Sequence, residues 1–408
     1  MTSNSIRDAW RNVALGDITR EVSERVGKGD EAPRIYGVER ETGLTPTPKY
    51  VAKDVSRYKK IEPGMFAYNP MRLNIGSLGY CSPKYQSGAV SPDYVVFQCD
   101  PLFLDPLYMY YVTQSPQWDE WVRGAGVGSV RVRIYYRELA RMQLRVPPVD
   151  EQRAIAAVLG ALDDKIEQNR RTGRLLEELA RTTFKAWFVD FEPVKAKASG
   201  KPSFPSMTPA AFASLPARLI DSPIGPVPQG WEVRKLDDVL LLQRGFDLPK
   251  AARTDGPFPV FTASGLNGWH NEAKVDGPGV ITGRSGLLGQ VFFADSAFWP
   301  LNTALWVKEY RRSNPWHAYH FLQTIGLERF NAGSAVPTLN RNHLRDIAAV
   351  LAPWEILKDF AEFCGKLFEL RAHFEAESSK LTSLRDSLLP RLLNGQVRVR
   401  ASLPELNE

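Results

Sequence analysis

Apolar or small residues recur at alternating steps of four and three between positions 150 and 190, at Ile155, Leu159, Leu162, Ile166, Gly173, Leu176, Ala180 and Trp187. That spacing is the seam of a heptad helix. The same register returns 205 residues later at Phe360, Cys364, Leu367, Arg371, Phe374, Ser378, Leu381, Arg385, Leu388 and Leu392, with polar interruptions near its middle. One such stripe alone is an amphipathic helix packed on its own domain. Two in fixed register predict a pair of helices of about 35 residues, roughly 50 Å each, packed along one another.

The duplication reaches beyond the helices. Gly128-Ser129 stands against Gly333-Ser334, Leu139 against Leu344 and Pro148 against Pro353, each 205 residues apart. Further upstream the offset drifts. Trp10 begins Trp-Arg-Asn-Val-Ala-Leu-Gly-Asp where Trp231 begins Trp-Glu-Val-Arg-Lys-Leu-Asp-Asp. Gly64-Met65-Phe66-Ala67 matches Gly279-Val280-Ile281-Thr282, and Gly76-Ser77-Leu78-Gly79 matches Gly286-Leu287-Leu288-Gly289. One scaffold with differing loops is written twice. Short apolar runs such as Tyr94-Val95-Val96-Phe97 and Ala304-Leu305-Trp306-Val307, punctuated by Gly, Pro and Asn, predict strand-rich domains.

The predicted fold class is therefore α+β: two pseudo-two-fold-related domains separated by two long antiparallel coiled-coil helices. The expected order is a first domain over 1–148, a long helix over 149–190, a connector over 191–230, a second domain over 231–352, and a distal helix with a tail over 353–408. Eight prolines in the 40 residues of the connector predict a largely extended path.

Composition narrows the class. With 408 residues, 43% of them apolar, the chain can bury more than one core. Its three cysteines, Cys81, Cys99 and Cys364, have no paired spacing, which supports neither a disulfide framework nor a zinc ribbon and suits a reducing cytoplasm. Met1 to Arg11 is polar and no run of about 18 apolar residues occurs, so no membrane association is expected. The net charge of +6 suits a polyanionic partner.

Candidate chemistry is sparse. Gly124-Ala125-Gly126-Val127-Gly128-Ser129 lacks the following Lys-Ser/Thr pair and the acidic ribose ligand of a nucleotide site. His317 and His320 are three apart but have no companion ligand at zincin spacing, and are expected on a polar helix face. No Asn-Pro-Pro-aromatic segment and no acidic nuclease cluster is recognisable. The expectation is a chain without catalytic residues, metal or cofactor of its own.

What remains is basic and polar. Lys49, Lys53, Arg57, Lys59 and Lys60 stand against one Asp54, with Tyr50 and Tyr58 interleaved. Arg123, Arg131, Arg133, Arg137, Arg141 and Arg145 bracket the Gly-rich stretch that ends at Ser129, against one Glu138. Asn69 and Arg72 of the first copy join these candidates. The second copy sets Arg244, Thr262, Ser264, Asn267, Arg284, Ser285, Gln290, Ser334, Asn340 and Arg341 in or beside Gly-rich turns. Lys and Arg neutralise phosphates, Arg forks onto guanine, and Asn or Gln pairs with adenine. These are the expected DNA-binding residues. The rival reading is an adaptor, two α+β interaction domains held apart by a coiled coil, which would show no salt-dependent affinity for duplex DNA. A methyltransferase of unrecognised type would instead bind S-adenosylmethionine by itself.

Several segments carry a family likeness. They are Val146-Pro147-Pro148-Val149-Asp150-Glu151-Gln152-Arg153-Ala154-Ile155, Trp187-Phe188-Val189-Asp190-Phe191-Glu192-Pro193-Val194, Gly230-Trp231-Glu232-Val233, Pro337-Thr338-Leu339-Asn340 and Leu384-Arg385-Asp386-Ser387-Leu388-Leu389-Pro390-Arg391-Leu392-Leu393-Asn394-Gly395. With the tandem organisation they resemble the specificity subunit of type I restriction-modification systems over nearly the whole chain. The second copy departs from the Pro-Pro-x-x-Glu-Gln pattern with Ala352-Pro353-Trp354-Glu355-Ile356-Leu357, and Arg131-Val132-Arg133 replaces the Pro-x-Leu-Asn-like stretch in the first. The resemblance implies that each domain is a target recognition domain for half of a split site in double-stranded DNA, with the helices setting the unread spacer. It also implies two methylation subunits as partners, using S-adenosylmethionine on adenine, and restriction subunits that cleave with ATP and Mg. Docking of the methylation subunit on outer helix faces, such as those of Leu175, Leu179 and Phe184, follows by the same analogy.

Overall fold

The structure is a computed structural model that describes residues 10–28, 33–46, 48, 50–125, 133–333 and 335–399. The chain divides into two compact units, 1–169 with 377–408 and 170–376. Both boundaries fall inside long helices, because each half-helix completes the core of its unit. Among the described residues no helix is long and apolar enough to cross a membrane.

The long helices are Val149–Phe188 and Trp354–Leu393, 40 residues each. Both follow prolines and carry acidic residues in the first turn, where the helix dipole favours them. The second holds Pro390 in its last turn, and Gly395, at φ +74°, ends the run. Within the first unit Asp163 meets Arg385 at 2.7 Å, and Lys165 and Asn169 meet Glu377 at 3.3 and 2.6 Å. Within the second, Glu177 meets Arg371 at 3.5 Å and Trp187 meets Phe360 edge to face at 5.7 Å. Partner numbers fall as residue numbers rise, so the pair is antiparallel within each unit. Ile155, Leu159, Ile166, Gly173, Ala180, Trp187, Phe360, Cys364 and Leu392 are buried, as the seam predicts.

Each unit builds its domain in the same order. A short strand, Arg11–Ala14 or Glu232–Lys235, pairs antiparallel with one that closes the domain, Gln143–Val146 or Ala348–Leu351. A four-stranded antiparallel sheet follows: Thr19–Glu21, Val95–Cys99, Met65–Tyr68 and Leu78–Tyr80 side by side in the first unit, Leu241–Arg244, Ala304–Glu309, Gly279–Gly283 and Val291–Ala294 in the second. A mixed sheet packs nearby, centred on Ile35–Glu39 or on Phe258–Thr262. A helix capped by Asp105 or Asn314, with proline in its first turn, then leads back to the long helices.

Two expectations are corrected. The connector is folded, not extended: helices Glu192–Ala198 and Pro209–Ser214 form, and Phe191, Val194, Phe212, Leu215 and Val227 join the second unit's core beside Trp231. Pro193 and Pro209 occupy first-turn helix positions, where proline costs no hydrogen bond, so a proline count misled. His317 and His320 form no polar face. Both are buried, with His317 against Phe188 at 5.0 Å and His320 against Phe184 at 5.7 Å.

Burial pushes the His317 imidazole down to about 3 and that of His320 to about 4, so both are neutral in the fold. Unfolded histidines titrate near 6.5, so the stability these side chains support is complete above that pH and drains as pH falls toward 4. By pH 5 one such histidine should cost about 2 kcal/mol. Melting scans from pH 7 to 4.5 should show the decline, and a His317→Gln/His320→Leu chain should show a shallower one; an unaltered slope would rule these groups out as its source.

Candidate nucleic-acid interface

In the second unit, Arg244 pairs with Leu305, Gly283 with Ala304 and Thr282 with Val291. This register brings Arg244, Arg284, Ser285, Gln290 and the Asn302-Thr303 turn to one end of the four-stranded sheet. The neighbouring sheet ends there too, since Leu301 N donates to Phe261 O at 2.8 Å and sets Thr262 and Ser264 alongside. The closing segment is laced on by Leu339 N to Arg284 O at 2.8 Å and Gly286 N to Pro337 O at 2.9 Å, which adds Asn340. Glycine makes the convergence feasible: a Cβ on Gly245 would lie 2.3 Å from Leu301 O.

Two predicted residues sit apart from this cluster. Arg341 turns to Leu242 O, at 3.3 Å, on the outer edge of the sheet, and Asn267 lies farther along a hairpin with its side chain on Arg253 at 3.0 Å.

The first unit repeats the arrangement. Tyr68 pairs with Val95 and Leu78, so the Asn69–Ser77 connection starts at the equivalent sheet end. Ile134 N donates to Pro70 O at 3.0 Å, and its counterpart donor Leu339 is 205 residues on. Arg133, next to Ile134, therefore joins Asn69 and Arg72. Helix Pro116–Gly124 packs on the Leu73–Ile75 turn and carries the exposed Arg123 at its end. Lys59 donates to Tyr94 O at 2.6 Å, and its partial burial pulls its ammonium below the usual lysine range. Lys60 pairs with Glu24 at 2.8 Å. Lys53 and Arg57 are exposed on the strap before strand Lys59–Ile61. Tyr58 is buried and its hydroxyl accepts from Ala52 N, whereas Tyr50 is exposed. Lys49, Ser129, Arg131 and Ser334 lie outside the described residues.

Hydrogen bonding separates side chains committed to the scaffold from those left open. Asn69 Oδ1 accepts from Met71 N and Asn340 Oδ1 from Asn342 N, both at 3.0 Å, so these amides hold turns. Thr262 bonds Ser264 at 3.0 Å, Arg284 donates to Asn302 O at 3.1 Å, and Arg244 lies 3.7 Å from Asp247. Lys53, Arg57, Arg72, Arg133, Ser285 and Gln290 have no side-chain hydrogen bond or close ion pair with the described residues. Sequence reasoning missed Asn302 and Asp247, which brace the Arg244 and Arg284 loops. It also missed the exposed apolar side chains of Met71, Ile75, Leu287 and Val336 on the same loops. Apolar residues inside otherwise polar turns were the available signal.

A specificity subunit of a type I restriction enzyme (HindI) from Haemophilus influenzae is 22% identical, over 95% of this chain and 99% of its own. Along nearly its whole length the chain is similar to a type I specificity subunit. A second relative, the MjaIX specificity subunit from Methanocaldococcus jannaschii, is 23% identical over 72% of this chain and 69% of its own. The fold is that of a type I S subunit from M. genitalium, with a TM-score of 0.60 and 16% identity over 96% of this chain and 97% of that one. No protein-family model matches the chain.

The family-like Pro-Pro-x-x-Glu-Gln segment has a visible task. Gln152, fully buried, accepts from Asp105 N at 2.8 Å and donates to Phe103 O and Pro147 O at 2.9 Å, clasping the first domain to its helix. Leu357, the residue at that position in the second copy, has no such side chain, and the clasp is inverted: Asn314 Nδ2 donates to Leu357 O at 3.0 Å.

Proposed function

We propose that the chain is the DNA-reading subunit of a type I restriction-modification assembly, each unit reading one half of a split site in double-stranded DNA with the loops at the end of its four-stranded sheet. The observation that carries this reading is the recurrence of one loop-bearing sheet end in two units with different side chains. Lys53 and Arg57 suit phosphates, and Arg72, Arg133, Ser285 and Gln290 suit base edges.

In this reading the chain does no chemistry. Two methylation subunits supply S-adenosylmethionine-dependent adenine methylation, and restriction subunits supply cleavage with ATP and Mg, all in the cytoplasm. Asn69, Arg244, Thr262, Arg284 and Asn340 act by holding the reading loops in place.

Methylome sequencing of cells expressing this chain with its neighbouring methylation subunit tests the proposal. A motif of two short blocks around unread bases is expected; a continuous motif would refute the two-reader mechanism.

A further inference from the structure

The reading loops carry apolar side chains that fold stability does not explain. Met71 and Ile75 are 53% and 52% exposed, and Leu287 and Val336 are 45% and 53% exposed. Their exposure is built in by backbone bonding. Asn69 Oδ1 holds Met71 N, Ile75 N and Ser77 N both donate to Arg72 O, and Gly76 at φ +87° closes that turn. Gly286 N is bound to Pro337 O, and Gly333 lies so close to Val336 O that a Cβ would stand 2.0 Å from it. Fixed apolar groups therefore sit beside free polar ones, Arg72 in one unit and Ser285 and Gln290 in the other.

A second protein would bring an apolar surface to match, but a surface that places guanidinium and amide groups among isolated aliphatic chains suits a ligand that alternates in the same way. The major-groove edge of DNA does: donors and acceptors are interrupted by one apolar group, the thymine C5 methyl. We infer that Met71 and Ile75 in the first unit, and Leu287 and Val336 in the second, are specificity-determining contacts to thymine methyl groups, so that each half of the recognised site contains a thymine read in the major groove. The inference rests on the DNA-reading proposal and adds the base.

The test uses the full chain with its methylation partners and duplexes carrying the motif found by methylome sequencing, with deoxyuridine replacing each thymine in turn. Removing the methyl should weaken binding about fourfold at one or more positions in each half, the effect of burying roughly one methyl group. In a Met71→Gln/Ile75→Thr chain the first-half penalty should disappear while the second-half penalty remains, and Leu287→Gln/Val336→Thr should reverse the pattern. Melting temperatures near that of the unaltered chain exclude misfolding; a variant that misfolds is replaced by the single substitutions. Uracil tolerated at every position, or a half-site without thymine, overturns the inference while leaving DNA reading intact. Absence of any sequence-selective binding overturns the underlying proposal instead.

Discussion

Phe360→Ala should destabilise the second unit by about 3–5 kcal/mol, the cost of deleting a fully buried aromatic ring. Phe360 is completely inaccessible and lies 5.2 to 5.8 Å from the rings of Phe188, Trp187 and Phe184 on the opposing long helix. Its ring also meets His320 of helix Pro315–Thr324 at 5.9 Å, so one side chain ties both long helices to the domain. The rings of Phe184, Phe188 and Trp187 around it also contact one another, which limits how far they can move in to refill the space. For a unit of this size each kcal/mol lowers a melting transition by about 2–4 °C, which puts the fall near 10 °C. Differential scanning calorimetry should show that shift in one transition and leave a second nearly in place. Both transitions moving together would show that the units do not unfold as separate cooperative bodies.

The contrast between what could and could not be read from sequence runs along one line. Gln143–Val146 and Ala348–Leu351 occupy the same role 205 residues apart, and so do the donors Ile134 and Leu339. A repeat transmits topology, because equivalent backbone positions need equivalent partners. Environment is not transmitted in this way. Phe184, expected on an outer helix face, is 1% exposed because helix Pro315–Thr324 lies over it, whereas Leu175 and Leu179 keep 59% and 44% exposure. The two buried histidines belong to the same misreading, since three-residue spacing marks a face but not its surroundings.

The candidate site was legible to the same degree. Residue type placed Arg72, Ser285 and Gln290 in polar loops, and within each unit the sheet register sets them at the end of that unit's own sheet. Residue type did not separate Asn69 and Asn340 from those open side chains, since an Asn that bonds a backbone N–H two residues on is indistinguishable in sequence from one left open.

Gly283→Ala should abolish discrimination at the second half-site while sparing the first. Gly283 is the last residue of a buried strand, and a Cβ there would stand 1.9 Å from Leu287 O and 3.2 Å from Ala263 O. Both obstacles are backbone atoms, so no rotamer relieves the clash and the Arg284–Gln290 loop must move as a body. Ser285, Gln290 and Leu287 move with it, and a loss of two base-pair readings at about 1–3 kcal/mol each amounts to at least about 30-fold in specific affinity. Gly286→Ala is the matched control: nothing lies within 4 Å of its Cβ position, and the only penalty is its φ of +102°. That strain, of the order of 1–2 kcal/mol, falls on one residue without pushing the loop off the sheet end. Affinities for duplexes scrambled in one half-site at a time should show Gly283→Ala indifferent to the second half and still selective for the first. Retained second-half selectivity would mean that the Arg284–Gln290 loop is not a reader.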